Sequence, residues 1–330
     1  MSSVQQIEVA EADDGARVDR WFKRHYPALM HGKLEKLLRK GQIRVDGGRI
    51  KANHRLEAGQ IIRVPPLEHQ DTGTRRPIQL ISDEDKQFIQ SLVIYENDEL
   101  IAINKPAGLA VQGGSKTDRH VDGMLEGLRP HPDAERPKLV HRLDKDTSGV
   151  LVLAKTANDA RDLSKAFQGR DIEKIYWALC VGVPHPLQGT IDLPLVKRNA
   201  GHGGERVMPA DKNDENAQRA ITHYSVIEAT GNRACWVALM PITGRTHQLR
   251  AHMAAIDVPI CGDAKYGGEE ALLGGNISRK MHLHARQITI PQRRGELTIV
   301  APLTDHMKKS WEFFSFNENT KEDPFEGLNK

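Results

Sequence analysis

Apolar positions along this chain recur at two spacings, and the change from one to the other divides it. In RVDRWFKRHYP, Val18, Trp21 and Phe22 fall at helical spacing, and Pro27 ends the segment because it cannot continue the backbone ladder. GKLEKLLRKG follows, with Leu34, Leu37 and Leu38 on one stripe, Lys33, Lys36, Arg39 and Lys40 mostly off it, and Gly41 as a C-terminal stop. Two short strands come next, QIRVDG and QIIRVP, the first closing on an Asp-Gly-Gly turn. From Leu67 to Gln90 the sequence is polar, without sustained apolar periodicity, and reads as a linker. Beyond it short apolar runs take over: VIYENDELIAINKP, GVLVLAK, IYWALCVG, ITHYSVIEAT, RACWVALMP and ARQITIP all predict strands. Helical spacing returns near VDGMLEGL, through TANDARDLSKAFQ and through HQLRAHMAAI. The Gly-rich, polar NAGHGGERVMPADKNDENAQ reads as a mobile surface loop, and the terminal NENTKEDPFEGLNK as disordered.

Strands outnumber helices in the larger part without a regular βαβ rhythm. The expected fold class is therefore α+β: a small N-terminal α/β module, then a large domain on a mixed, mainly antiparallel sheet. The expected divisions are 16–66 for the module, 67–90 for the linker, 91–305 for the large domain and 306–330 for a tail. Composition refines this. Of 330 residues, 38% are apolar and 28% charged, and no apolar run approaches the roughly 18 residues that a membrane-crossing helix needs, so a soluble protein is expected. The N-terminus lacks the basic-then-apolar order of a secretory signal and carries acids that a transit peptide avoids, which points to the cytoplasm. Cys180, Cys235 and Cys261 are odd in number and widely spaced, so they read as small buried hydrophobes and not as a disulfide framework.

A net charge of +3 selects no partner, but its distribution does. Between Arg17 and Arg55 stand twelve Lys and Arg against three acids, a local excess of nine. With the helix pair and the VDG turn, this stretch resembles the S-four RNA-binding module. The resemblance implies a basic face laid against RNA phosphates, with Arg17, Arg20, Lys33, Lys36, Arg39 and Lys40 as contacts and binding that weakens with salt.

Chemistry concentrates in HRLDKDTSGVLVLAK. Asp144 stands between Arg142 and Lys145, just before a turn and a very apolar strand. A carboxylate there can be held dry yet ionised if a cation lies opposite it. Asp144 and Asp146 can equally cap the turn, and on the local sequence alone capping is the commoner outcome. A second cluster, TGRTHQLRAHM, supplies Arg245, Gln248 and Arg250 as donors near a helix N-terminus, where a substrate phosphate or a carboxylate would be stabilised. The histidines His247, His252, His282 and His284 raise a metal hydrolase, but no Asp/Glu/His set completes a tetrahedral site, and no metal is expected. GxGxxG, GxxxxGK[ST] and HExxH patterns are missing, so no cofactor is expected either.

Together with NKPAGLAVQGG, EKIYWALCVG, GDAKYGG and LHARQITI, these clusters resemble the RluA-type pseudouridine synthases, in the large-subunit ribosomal RNA branch that carries an N-terminal S-four domain. The resemblance runs from about Ala16 to Leu303. It implies that Asp144 is the catalytic aspartate, that Tyr176 lies against the target base, that Arg245 pairs with the Asp144 carboxylate, and that Arg142 inserts into the RNA where the flipped nucleotide leaves. Arg250 would contact RNA, and Leu283 would belong to an apolar wall. Gln112 departs from the pattern, since many relatives have histidine there, which touches substrate detail more than chemistry. The partner implied is RNA, ribosomal in preference to transfer RNA, met by a monomer away from membranes. The alternatives are a transfer-RNA pseudouridine synthase and an RNA-binding protein that has lost catalysis.

Overall fold

A computed structural model describes residues 4–27, 29–67, 81–114, 117–169, 171–199, 205–211, 213–292, 295–320 and 324–326. It divides into two units, Met1–Leu80 and Ile81–Lys330. The first contains β1 (Gln5–Glu8), α1 (Val18–His25), α2 (His31–Arg39), β2 (Arg44–Val45) and β3 (Ile61–Val64), with an antiparallel sheet in the order β1-β3-β2. Val18, Trp21 and Phe22 of α1 and Leu34 and Leu38 of α2 are buried in one cluster with Ile43, Ile62 and Val64, so the apolar stripe is the core face. Arg17, Arg20, Lys33, Lys36, Arg39 and Lys40 are all exposed, as the phase of the two helices requires. This unit begins before Ala16, because β1 pairs with β3 and sets Ile7 opposite Ile62. Its sequence, QQIE, is too polar to announce a strand.

The second unit contains α3 (Asp83–Ser91), β4 (Val93–Glu96), β5 (Leu100–Lys105), α4 (Val121–Met124), β6 (Lys138–Leu139), β7 (Ser148–Ala154), α5 (Ala157–Gly169), β8 (Glu173–Val181), β9 (Gln188–Asp192), β10 (Leu195–Asn199), β11 (Glu205–Pro209), β12 (Ile221–Thr230), β13 (Ala234–Pro241), α6 (Gln248–Ala255), β14 (Leu283–Pro291), β15 (Glu296–Val300) and α7 (Asp305–Phe314). Its main sheet runs β4-β5-β7-β14-β8-β13-β12-β9, with β15 on β14 and β6 on β7. Every pairing is antiparallel except β7 with β14, so the sheet is mixed and mainly antiparallel, as the patterning implies. Alternation along β8 and β13 assigns two faces. Trp177, Leu179 and Trp236 pack with Trp311, Phe316 and Phe325 on one, while Ala178, Cys180 and Val237 pack with Leu249 and Met253 of α6 on the other. Tyr176 lies on the α6 face. All three cysteines are buried. No helix among the described residues is long and apolar enough to cross a membrane.

Three expectations need correction. The stretch 67–90 is not linker throughout: α3 occupies Asp83–Ser91, starts on a Ser82 cap that accepts from Asp85 N at 3.1 Å, and buries Ile89, while 68–80 lie outside the described residues. One buried contact on an otherwise charged helix leaves little periodicity to read. The Gly-rich segment forms a hairpin, β10 on β11, in perfect antiparallel register from Leu195↔Pro209 to Asn199↔Glu205, with 200–204 and 212 outside the described residues. Of the terminal NENTKEDPFEGLNK, 321–323 and 327–330 lie outside the described residues, but Phe325 is buried in the core beside Trp311 and Phe316, and Trp311 meets Trp236 edge-on at 5.5 Å. A lone aromatic in a polar stretch gives no local period, so its burial shows only in the tertiary structure.

Candidate active site

Asp144 sits in the loop between β6 and β7, and four interactions fix that loop. Lys105, at the end of β5 and fully buried, donates from Nζ to the carbonyls of Pro106 (3.0 Å), Leu109 (2.8 Å) and Lys145 (3.0 Å). Burial pulls its ammonium down to about 7, against the opposing charges of Asp146 and Asp144. His141 accepts from Val152 N at 2.8 Å and stacks on Phe167 at 4.3 Å, and burial holds the ring neutral by moving it to about 3. Ser148 Oγ bonds His284 Nδ1 at 2.8 Å, across the parallel β7–β14 contact. Gly149, at φ +108°, permits that contact, since a Cβ would stand 2.2 Å from Ala285 O and 2.6 Å from Ala285 N.

The loop delivers Asp144 to a cavity of about 320 Å³, within the usual range for a small-ligand site. Tyr176, Arg142, Arg245, Arg250 and Leu283 line it too, so residues spread from 142 to 283 converge on one cavity. Tyr176 is half-buried, and burial, reinforced by the Asp144 charge, raises its phenol well above the ordinary range, so the hydroxyl stays protonated. Leu283 is buried in the wall, whereas Arg142 is exposed at the rim.

The surroundings of the carboxylate differ from expectation. Arg245 does not meet Asp144: it precedes α6, is exposed, and donates from Nε to Arg219 O at 3.1 Å. The cation near the carboxylate is Arg250, whose Nη1 is 4.0 Å from Asp144 Oδ2; the imidazole of His247 also approaches, with Nε2 3.8 Å from the same oxygen. Nor is Arg250 an exposed RNA contact. Its side chain is 8% exposed, and it makes a bidentate pair with Asp263, 2.7 Å in each bond. Burial acts to lower this guanidinium, but the hydrogen bonds and charge of Asp263, with the charge of Asp144, outweigh it and keep the group cationic. Gln248 offers nothing to a ligand, because its amide is spent on Thr243 Oγ1, Arg245 N, Ile221 O and Thr222 Oγ1. His252 and His282 are likewise engaged, with Thr222 and Ser310.

Three residues of this centre received no role from the sequence. His247 caps α6 in the left-handed region, φ 52°, a conformation that a non-glycine residue holds only where its surroundings enforce it. Burial lowers its imidazole, partly opposed by Asp144. Asp263 fixes Arg250, and it follows Gly262, where a Cβ would lie 2.1 Å from Lys280 O. Tyr266 bonds His247 Nδ1 through its hydroxyl at 2.9 Å and lies under the Arg250 guanidinium at 4.9 Å. The GDAKYGG motif held the signal for the last two, but only the fold shows what they touch.

Comparison with known proteins identifies the family. A profile of the RNA pseudouridylate synthase family matches residues 99–255. The Ribosomal large subunit pseudouridine synthase C of Rickettsia typhi is 37% identical over 284 residues, 84% of this chain and 89% of the relative. That of Vibrio vulnificus is 34% identical over 315 residues, 93% and 96% of the two chains. Among solved structures, Human RNA Pseudouridylate Synthase Domain Containing 4 aligns with a TM-score of 0.59 at 32% identity, over 70% of this chain and 97% of that one. The chain belongs to the RNA pseudouridine synthases and is an isomerase of that family.

Proposed function

We propose that the chain isomerises specific uridines of large-subunit ribosomal RNA to pseudouridine, and that Asp144 carries the covalent step. The observation that carries this reading is the convergence of Asp144, Tyr176 and Arg250 on one cavity, with Arg250 held cationic 4.0 Å from the carboxylate. The reaction breaks the bond between uracil N1 and the ribose, turns the base, and rejoins it through C5 with nothing added or removed. An ionised carboxylate serves either route, attacking the electron-poor sugar carbon or removing a sugar proton. Asp144 is well suited because it is partly open, 23% exposed, and no described group donates a hydrogen bond to its carboxylate. Arg250 balances its charge from 4.0 Å without occupying it.

A uridine in a helix must be extruded before its glycosidic bond can be reached, at a cost of a few kcal/mol. Tyr176 offsets part of this by stacking on the base against the Leu283 wall, with its hydroxyl protonated beside Asp144. Arg142, exposed at the rim, fills the vacated space, and Arg245 meets the RNA backbone there. The N-terminal unit is an S-four-like RNA-binding module, with Arg17, Arg20, Lys33, Lys36, Arg39 and Lys40 against phosphates. The enzyme works in the cytoplasm as a monomer, since one chain supplies every group named.

The test is a map of pseudouridine in ribosomal and transfer RNA from cells with and without the gene. Specific large-subunit sites are expected to disappear and to return with the wild-type gene but not with Asp144→Asn. Loss confined to transfer RNA would overturn the substrate, and full rescue by Asp144→Asn would overturn the catalytic assignment.

A further inference from the structure

A second cavity adjoins the first. Its volume is about 590 Å³, it is bounded by the β10–β11 hairpin and the 214–218 segment, and Arg245 and Thr246 line both cavities. Whatever leaves the catalytic cavity past Arg245 enters this groove. We propose that the groove is the track for the RNA strand on one side of the target uridine, and that it grips the phosphodiester backbone without reading the bases. The proposal rests on the RNA pseudouridine synthase reading above.

Charge is the first argument. Lys197, Arg198 and Arg245 line the groove against a single carboxylate, Asp214. That carboxylate is already engaged: Oδ1 accepts from Asn216 N at 2.9 Å and Oδ2 from Arg198 Nη2 at 2.8 Å. Arg198 has five donors and is 61% exposed, so most of its fork faces outward, and a surface pair this open is readily shared with a phosphate. Asn216 and Gln218 add uncharged donors along the same wall. No aromatic residue is among those lining the groove, whereas Tyr176 and Phe167 line the catalytic cavity. Base stacking therefore belongs to the cavity, and the groove is equipped for sugar and phosphate.

Rigidity is the second argument. Leu195 and Val207 of the hairpin are buried in a small cluster with Ala220, Ala251 of α6 and Tyr266. Leu195 exchanges backbone hydrogen bonds of 2.9 and 2.8 Å with Gln218, which fixes the 214–218 wall to the hairpin. Tyr266 accepts from Val207 N at 3.2 Å while its hydroxyl also meets His247 Nδ1, so the groove is built in register with the residues around Asp144. A strand seated there arrives at the carboxylate in a fixed position.

The experiment measures binding of a fluorescently labelled, structured RNA to the full-length protein, wild type and the exposed double variant Lys197→Ala/Arg198→Ala, across a salt series. Pseudouridine formation is followed in parallel. The variant is expected to bind about 10-fold more weakly at moderate salt, with a log–log salt slope shallower by about 1 to 2. With RNAs trimmed back to the target from the 5′ or from the 3′ side, one trimming is expected to make the two proteins equal. Equal binding to the untrimmed RNA, or a deficit that survives both trimmings, would overturn the groove. Wild type that shows the groove-dependent binding but forms no pseudouridine would overturn the activity and leave the groove standing.

Discussion

Asp13 and Asp144 are both carboxylates with basic side chains around them, one arginine and one histidine each, and they are arranged differently. Asp13, in the N-terminal unit, is 7% exposed and fully engaged: Trp21 Nε1 donates to it at 3.1 Å, His25 Nε2 lies 3.2 Å away, and Arg24 pairs with its other oxygen. Asp144 is 23% exposed, and its nearest basic groups, His247 and Arg250, stop at 3.8 and 4.0 Å. The saturated group ties α1 to the preceding turn. The other has its charge balanced by Arg250, which is itself anchored on Asp263, and faces the imidazole of His247, which is anchored on Tyr266, so its lone pairs stay open. A site carboxylate is thus distinguished less by having cations nearby than by those cations having other partners.

Exchanging each acid for its amide should separate the two roles most widely. Asp144→Asn is expected to lower the rate of pseudouridine formation by at least about 10³-fold with the unfolding midpoint nearly unchanged. Asp13→Asn is expected to destabilise the N-terminal unit by about 2 kcal/mol, because it weakens the hydrogen bonds of a buried carboxylate to Trp21 and to the exposed Arg24, while turnover on short RNA persists. Denaturant melts and single-turnover rates on both variants decide it, and the comparison breaks if either shows the other's signature.

Acid should reveal the next difference. His141, His282 and His284 of the catalytic unit are held near 3, about 4 and about 3 by burial, against an ordinary value of 6.5. Below pH 6.5 the unfolded chain takes up protons that the folded unit refuses until about pH 4, so stability is present above 6.5 and is lost as pH falls. The loss between pH 7 and pH 5 should be on the order of 6 kcal/mol, about 2 for each ring, read from urea melts followed at the buried Trp236. A midpoint independent of pH over that range would mean that these rings are not held neutral.

The smallest effect concerns exposed charge. Replacing Lys33 and Lys36 by Gln is expected to leave stability within about 0.5 kcal/mol and to weaken RNA binding several-fold, with a salt slope shallower by about 1 to 2. An unchanged slope would show that this basic face is solvated and nothing more.

Much of the architecture is legible in the sequence because it depends on local periods. The helical stripe of Val18, Trp21 and Phe22 and the continuous apolar run of β7 each bury what their spacing implies. Elements with few buried side chains were hidden, among them β1 and α3, because they are held mainly by neighbours remote in sequence; the β10–β11 hairpin was hidden by the polar, Gly-rich composition of the segment that holds β11. The C-terminal aromatics were hidden for the converse reason, since their partners lie on β8 and β13.

At the centre, the sequence by itself singled out the segments that the fold brings to one cavity: the Asp144 loop, the strand of Tyr176 and the arginine-bearing stretch before and within α6. Only the tertiary structure decided which arginine stands at the carboxylate. Arg245 and Arg250 are five residues apart in one motif, and nothing local distinguishes them. Arg245 falls in the exposed loop before the helix, while Arg250 sits on its buried side, where Asp263, 13 positions onward, fixes the guanidinium toward Asp144. Spacing along a chain sets the phase of a helix, but the direction of a charged side chain is set by the partners that the fold brings to it.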